Sequence, residues 1–149
     1  MSKSSVNPRK AALDGRPLRQ VAALPFRRGP DGEIEILVLT SRQTRRFIIP
    51  KGWSTGAKKV WKAAEVEARE EGGVRGKISH SPVGRYTYWK RFAKHFGLIE
   101  VDVYPMEVDK ELKRWPEKSQ RIRRWLPADD AALLVDEPQL VSLIREFAV

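Results

Sequence analysis

Three glutamates on one predicted helix, Glu67, Glu70 and Glu71, are the residues of this sequence best suited to chemistry. Successive helical residues are about 100° apart, so the three carboxylates share an arc of about 100°. Like charges in such an arc repel one another, and a hard divalent cation removes the repulsion. The spacing therefore favours a site for Mg²⁺, or for Mn²⁺ in its place. An acidic helix end facing solvent stays open as the alternative.

The helix that carries these glutamates is predicted from Val60 to Glu71. The segment has good helix formers and no proline, and Gly72-Gly73 ends it with residues that tolerate a positive φ. An apolar stripe at spacings of three and four residues borders the acidic arc. Its members are Trp61, Ala64, Ala68 and Gly72. Because most of them are small, we expect the helix to pack closely on a sheet.

Composition restricts the classes of function. The net charge of +10 predicts an anionic partner, which is a phosphorylated small molecule, nucleic acid or an acidic surface. The absence of cysteine excludes disulfides and thiolate metal sites. Apolar runs stay well short of the ~20 residues that span a bilayer, and no secretory signal is evident. We therefore expect a cytoplasmic protein without a membrane partner.

The rest of the chain predicts one domain after a flexible, basic arm. Residues 1–18 are polar and broken by proline and glycine, so the domain is expected over residues 19–149. Strands are predicted at Val21–Phe26 and Glu33–Thr40, joined as a hairpin, and at Leu98–Val108. Further helices are predicted from Pro127 to Leu134 and from Glu137 to Phe147. This mixture predicts an α/β sandwich.

The segment from Gly52 to Val74 resembles the Nudix box, G-x5-E-x7-R-E-U-x-E-E-x-G-U with U aliphatic. It reads GWSTGAKKVWKAAEVEAREEGGV. Seven of the nine defined positions are in register: Gly52, Glu67, Ala68, Glu70, Glu71, Gly73 and Val74. The resemblance implies a Nudix-type α/β/α sandwich with a mixed β-sheet, and a Mg²⁺-dependent pyrophosphohydrolase. It also implies that the three glutamates are metal ligands and catalytic, with Glu70 as the favoured general base.

Two box positions depart from the family pattern. Lys58 replaces the first glutamate, and Val66 replaces an arginine that orients the catalytic glutamates in the family. The loss of such a supporting group typically costs 10–100-fold, roughly, and leaves some activity. An active but slowed enzyme is therefore favoured. A catalytically weakened Nudix domain that binds a phosphate ligand or nucleic acid stays open as the alternative.

The resemblance extends to the diphosphoinositol polyphosphate phosphohydrolase branch of the family, through the runs LVLTSRQTRRFIIPKGW and RIRRWLPADDAALLV. Substrates of that branch are diphosphoinositol polyphosphates and often diadenosine polyphosphates. The matching positions imply substrate contacts from Arg42, Lys94, His95 and Arg121. In this fold, a residue from another loop frequently serves as the general base that takes the proton of the attacking water. The candidates for that role here are Glu100, Glu107 and Glu117, with none preferred. Nucleic acid is a less favoured partner, and the oligomeric state stays open.

Overall fold

The computed structural model describes residues 17–54 and 58–149, which form one mixed β-sheet with helices on both faces. The strands are β1 (Leu18–Arg28), β2 (Ile34–Thr40), β3 (Phe47–Ile48), β4 (Lys51–Trp53), β5 (Val74–Ile78), β6 (Gly84–Arg91), β7 (Phe96–Glu111) and β8 (Arg123–Pro127). The helices are α1 (Trp61–Gly72), α2 (Ala128–Leu134) and α3 (Pro138–Phe147), with a short 3₁₀ turn at Lys118–Gln120. In the described part of the chain, no helix is both long and apolar enough to cross a membrane.

Strand β1 is the centre of the sheet. It pairs in parallel with β7 along one edge, and antiparallel with both β2 and β4 along the other. The predicted hairpin of β1 and β2 is confirmed by pairing such as Phe26 with Ile36. Strand β4 pairs with the first part of β1, and β2 pairs with its last part, so β2 and β4 occupy different stretches of the same edge of β1. On its other edge, β2 pairs with β8. The sheet is therefore split on the side where β3 and β4 lie.

Each face of the sheet carries its own hydrophobic core. On one face, α1 packs through Ala64 and Ala68 against Val21, Leu37 and other aliphatic residues. On the other face, α2 and α3 cover a larger cluster that includes Leu24, Val101 and Ile144. The predicted α/β/α sandwich with a mixed sheet is confirmed.

Helix α1 agrees with its predicted bounds to within a residue. Gly73 follows it with φ 65°, and its backbone N–H donates to the carbonyl of Arg69 at 3.1 Å. The small members of the apolar stripe are buried as expected. Trp61 differs, because its ring lies partly exposed and stacks on His80 with centroids 3.9 Å apart.

Other elements differ from the sequence prediction. Five strands were not predicted, namely β3, β4, β5, β6 and β8. Pro127 ends β8, and the helix predicted to begin there starts at Ala128. Of the predicted arm, residues 1–16 lie outside the described residues. Leu18, its last residue, is buried as the first residue of β1, so the ordered domain includes it.

Candidate active site

A cleft of about 150 Å³ opens beside the C-terminal half of α1, on the split side of the sheet. One carboxylate and several cations share its lining. The lining residues are Gln20, Arg42, Ile48, Lys51, Glu71, Tyr88, Lys90 and Arg121. Pockets that enclose a whole drug-sized ligand measure roughly 300 Å³ or more. This cleft therefore suits one strongly anionic part of a larger molecule.

Glu71 and Glu67 form a pair of carboxyl groups beside this cleft. Glu71 is only 7% exposed, and its Oε1 accepts a hydrogen bond from the backbone N–H of Lys51 at 3.3 Å. The Glu67 carboxyl group lies beside that of Glu71, close enough for each to affect the charge of the other. Burial, together with the negative charges of Glu71, Glu70 and Glu117, raises the pKa of Glu67 to about 8. Burial likewise raises the pKa of Glu71, opposed by the nearby charge of Arg121.

The acidic pair has the chemistry of a divalent-metal site. Its donors are hard carboxylate oxygens, and a cation bound beside them would relieve the repulsion between the two groups. Glu70 is directed elsewhere, since its side chain is 41% exposed and lies 4.0 Å from Arg69. Among residues 17–54 and 58–149, no group of three or more acidic or histidine side chains is already gathered as a metal site. A cation held by all three glutamates therefore requires Glu70 to leave Arg69.

The C-terminal end of α1 is held by two residues from the chain that follows β7. The indole of Trp115 donates to the carbonyl of Glu71 at 3.2 Å. The guanidinium of Arg123 donates to the carbonyls of Gly72 and Gly73, both at 3.0 Å, and lies 4.0 Å over the Trp115 ring. A cation at a helix C-terminus offsets the partial negative charge of the exposed carbonyls. These contacts fix the last turn of α1, which carries two of the predicted catalytic residues.

Gly52 leaves the space that the Glu67 side chain occupies. A Cβ atom at residue 52 would lie 2.5 Å from Cδ and 2.6 Å from Oε2 of Glu67. We expect Gly52→Ala to push the Glu67 carboxyl aside and lower kcat by about 10–100-fold, as is typical when a supporting contact is lost. Steady-state hydrolysis measures the loss, with circular dichroism to verify the fold.

A double variant separates displacement of the Glu67 carboxyl from a general disturbance of the fold. If the alanine acts through Glu67, the Gly52→Ala, Glu67→Gln double variant is no slower than Glu67→Gln alone. Multiplicative losses in the double variant contradict the assignment.

The structure places two of the four predicted substrate residues in the cleft. Arg42 is largely exposed and its Nη1 donates to Gln120 at 3.2 Å, whereas Arg121 is buried against carboxylates. Lys94 and His95 lie in the turn between β6 and β7, outside the cleft lining. His95 stacks on Phe92 with ring centroids 4.9 Å apart. The structure therefore does not bring Lys94 and His95 together with Arg42 and Arg121 in the cleft.

Sequence reasoning did not assign the cleft residues Lys51, Lys90 and Tyr88 to the substrate site. Lys51 lies over the Tyr88 ring, with Nζ 5.3 Å from its centroid, and burial lowers the pKa of its ammonium to about 8. The hydroxyl of Tyr88 donates to Gln20 at 2.6 Å, which fixes that wall. A signal did exist for Lys51, because it stands between Pro50 and the first glycine of the box. Lys90 lies two residues after Tyr88 in β6, and therefore on the same face of that strand. Strand β6 was not predicted.

The three candidates for an additional base are separated in space. Glu117 lies at the site, where its charge raises the pKa of Glu67 and its backbone N–H donates to the carbonyl of Glu70 at 3.1 Å. Glu100 instead forms ion pairs with Arg19 and Arg85 on β1 and β6. Glu107 is exposed on β7, opposite Lys77 of β5. Glu117 is therefore the candidate that the structure places beside the acidic pair.

Comparison with known proteins relates the chain to Nudix hydrolases. No model of a protein family matches the sequence. The mitochondrial Nudix hydrolase 18 of Arabidopsis thaliana is 34% identical over 118 residues, which cover 74% of this chain and 65% of that protein. The chain spans about three fifths of the length of the curated relatives it matches.

Solved structures share the fold at lower identity. The Ap4A hydrolase of C. elegans superposes with a TM-score of 0.63 at 19% identity, covering 88% of this chain and 96% of that one. The Nudix domain of Shewanella oneidensis NrtR, in complex with ADP ribose, superposes with a TM-score of 0.66 at 16% identity. That match covers 97% of this chain and 100% of the other. These similarities agree with the observed sandwich fold.

Proposed function

This chain belongs to the Nudix hydrolase family, and from that membership we propose that it hydrolyses a phosphoanhydride bond with a divalent cation bound at Glu67, Glu70 and Glu71. The observation that carries the proposal is the shared cleft, in which Glu71 faces Arg42, Lys51 and Lys90. Phosphoryl transfer depends on charge neutralisation and positioning more than on covalent catalysis. A carboxylate that can hold a cation beside several fixed positive charges meets both needs.

The residues of the chain divide the work in this proposal. Arg42, Lys51 and Lys90 bind phosphate oxygens, the arginine through two parallel N–H groups and the lysines as point charges. Glu70 accepts the proton of the attacking water, whose oxygen bonds to phosphorus while the anhydride oxygen leaves with the bonding electrons. Glu117 is the second candidate for that proton. When bound, Mg²⁺ or Mn²⁺ polarises phosphate oxygens and lowers the pKa of coordinated water.

For the substrate, we propose a highly charged molecule such as a diphosphoinositol polyphosphate or a diadenosine polyphosphate. The small size of the cleft and its cationic lining support a substrate with several phosphates, of which only some are enclosed. Lys94 and His95, in the turn after β6, are then available to the remaining phosphates. The Ap4A hydrolase and the ADP-ribose-binding domain among the solved structures make Ap4A and ADP ribose suitable probes.

The deciding experiment measures turnover of diphosphoinositol polyphosphates, Ap4A, Ap5A and ADP ribose with Mg²⁺, with Mn²⁺ and with a chelator. We expect cation-dependent hydrolysis of at least one of them. Binding without turnover would instead identify a weakened domain that acts as a phosphate-ligand module, as Lys58 and Val66 allow. Tight, strongly salt-dependent RNA binding without turnover would identify a nucleic-acid-binding module.

Lys51 gives a test of the cationic wall. Replacing Lys51 by methionine removes a charge-assisted contact to phosphate, so we expect KM to rise about tenfold with a smaller change in kcat. Lys62→Met is the matched control, because Lys62 is exposed on α1 and outside the cleft lining. Equal KM values for the two variants would remove Lys51 from the substrate site.

A further inference from the structure

Arg121 is held by protein groups on every side. Its side chain is 7% exposed, against 59% for Arg42, which also lines the cleft. Its Nε donates to Oε1 of Glu117 at 2.9 Å, and its Nη1 donates to the carbonyl of Thr40 at 3.2 Å. Its Nη2 lies 3.8 Å from Oε2 of Glu71. All three nitrogens of the planar guanidinium are therefore directed at the protein.

These contacts join three separate pieces of the chain. Thr40 ends β2, Glu71 lies in the last turn of α1, and Glu117 lies in the segment between β7 and β8. In the described part of the chain, Arg121 is the one cationic side chain within 4.0 Å of the Glu71 carboxylate. A rigid guanidinium fork holds carboxylates in a defined orientation better than a flexible ammonium does.

Helix α1 does not provide such a fork itself. Its residue 66 is a valine that is 38% exposed, and its own arginine, Arg69, pairs with Glu70. The Glu71 carboxylate thus takes its cationic partner from outside the helix. Arg121 supplies it from the segment that precedes β8.

We propose, on the basis of the function proposed above, that Arg121 is a positioning residue rather than a substrate contact. It orients Glu71 and Glu117 from outside the helix and takes the role left open by Val66. The role as a substrate contact implied by the family resemblance then falls to Arg42 and the lysines of the cleft. A positioning residue changes the rate of the chemical step, whereas a substrate contact changes binding.

Kinetics separate these two roles. Arg121→Gln is expected to lower kcat by about 10–100-fold with KM within about threefold of the wild type. Arg121→Lys keeps the charge but loses the fork, so its kcat is expected to lie between those of the wild type and Arg121→Gln. If the glutamine variant does not fold, the lysine variant decides the question alone. Arg124→Gln is the matched control, since Arg124 is exposed on β8 and outside the cleft lining. A loss carried by KM, or an unchanged kcat, overturns the proposal.

A crystal structure of the variant gives a second readout that does not depend on turnover. In Arg121→Lys without metal, we expect the Glu71 and Glu117 carboxylates to move by more than about 1 Å while the α1 backbone stays in place. Unmoved carboxylates overturn the proposal. Because this result stands even if the protein hydrolyses none of the substrates, failure of the positioning role and failure of the proposed function are distinguishable.

A double-mutant cycle tests the link to residue 66. Val66→Arg places a guanidinium four residues before Glu70 and one before Glu67, within reach of the acidic arc. If the two arginines do the same work, Arg121→Gln lowers kcat several-fold less in the Val66→Arg background than in the wild type. Equal losses in both backgrounds overturn the claim that Arg121 takes the role left open by Val66.

Discussion

Replacing Glu70 by glutamine is expected to lower kcat by about 10²–10⁴-fold, the contribution typical of a positioned general base. The change is nearly isosteric and the side chain is 41% exposed, so the fold should be retained. Steady-state phosphate release with saturating Mg²⁺ measures the effect. Circular dichroism and the thermal midpoint verify that the variant is folded.

A second glutamate on the same helix serves as the control. Glu65 is directed away from the acidic arc, and Glu65→Gln should keep kcat within about twofold. Full turnover of Glu70→Gln would remove Glu70 from both the metal site and the proton transfer. Glu117→Gln then tests the other candidate base, which lies against the same pair of carboxyl groups.

In the absence of metal, the free energy of unfolding is expected to fall as the pH rises from 5 to 8. The pKa of Glu67 is about 8 in the folded protein against 4.5 for an ordinary glutamate, so the folded state binds the extra proton in this interval. A group with a raised folded pKa contributes its full stabilisation below the unfolded value and loses it as the pH passes the folded value. The loss is on the order of 2–4 kcal/mol, or roughly 5–15 °C in Tm.

Lys51 produces the opposite slope at higher pH. Its pKa is about 8 in the folded protein against 10.5 in an unperturbed lysine, so between those values the unfolded state binds more protons and stability rises with pH. Together the two groups predict a minimum of stability near pH 8 for the metal-free protein. Thermal unfolding in chelator across pH 5–10 measures it.

Single variants show which residue causes each slope in the dependence of unfolding free energy on pH. Glu67→Gln should remove the falling limb, and Lys51→Met should remove the rising one. Saturating Mn²⁺ should stabilise the wild type more at pH 8 than at pH 6, because a cation binds the deprotonated carboxylates. A metal-free stability that does not change between pH 5 and 8 would contradict the raised pKa of Glu67.

The elements that the sequence predicted well are those in which local pattern and burial agree. Helix α1 has its small-residue stripe against the sheet and a glycine at φ 65° after its end, so both its position and its buried face were predictable. Strand β7 extends beyond the predicted Leu98–Val108 to Phe96–Glu111, because its first residues pair with β6 and its polar last residues pair with β5. Strand β6 was missed because its sequence, GRYTYWKR, is polar and half-exposed.

In the candidate site, too, some residues could be located from the sequence and others could not. The three glutamates could be located because they share one helix, where spacing alone determines direction. The arrangement around them depends on contacts between distant segments, such as Arg121 with Thr40 and Glu71. No local pattern predicts such contacts. For the same reason, the sequence did not predict that Lys51 and Lys90 line the cleft, since each lies on a strand that was not predicted.

The split of the sheet beside β1 separates the two tasks of the cleft. The carboxylates lie on a long helix clamped at its end, whereas the cationic wall comes from the short strand β4, from β6 and from connecting segments. The lysines of that wall, Lys51 and Lys90, are not part of the hydrophobic cluster beneath α1. Substitution of these lysines can therefore change the preference for an anionic ligand without altering the core that holds the helix of the three glutamates.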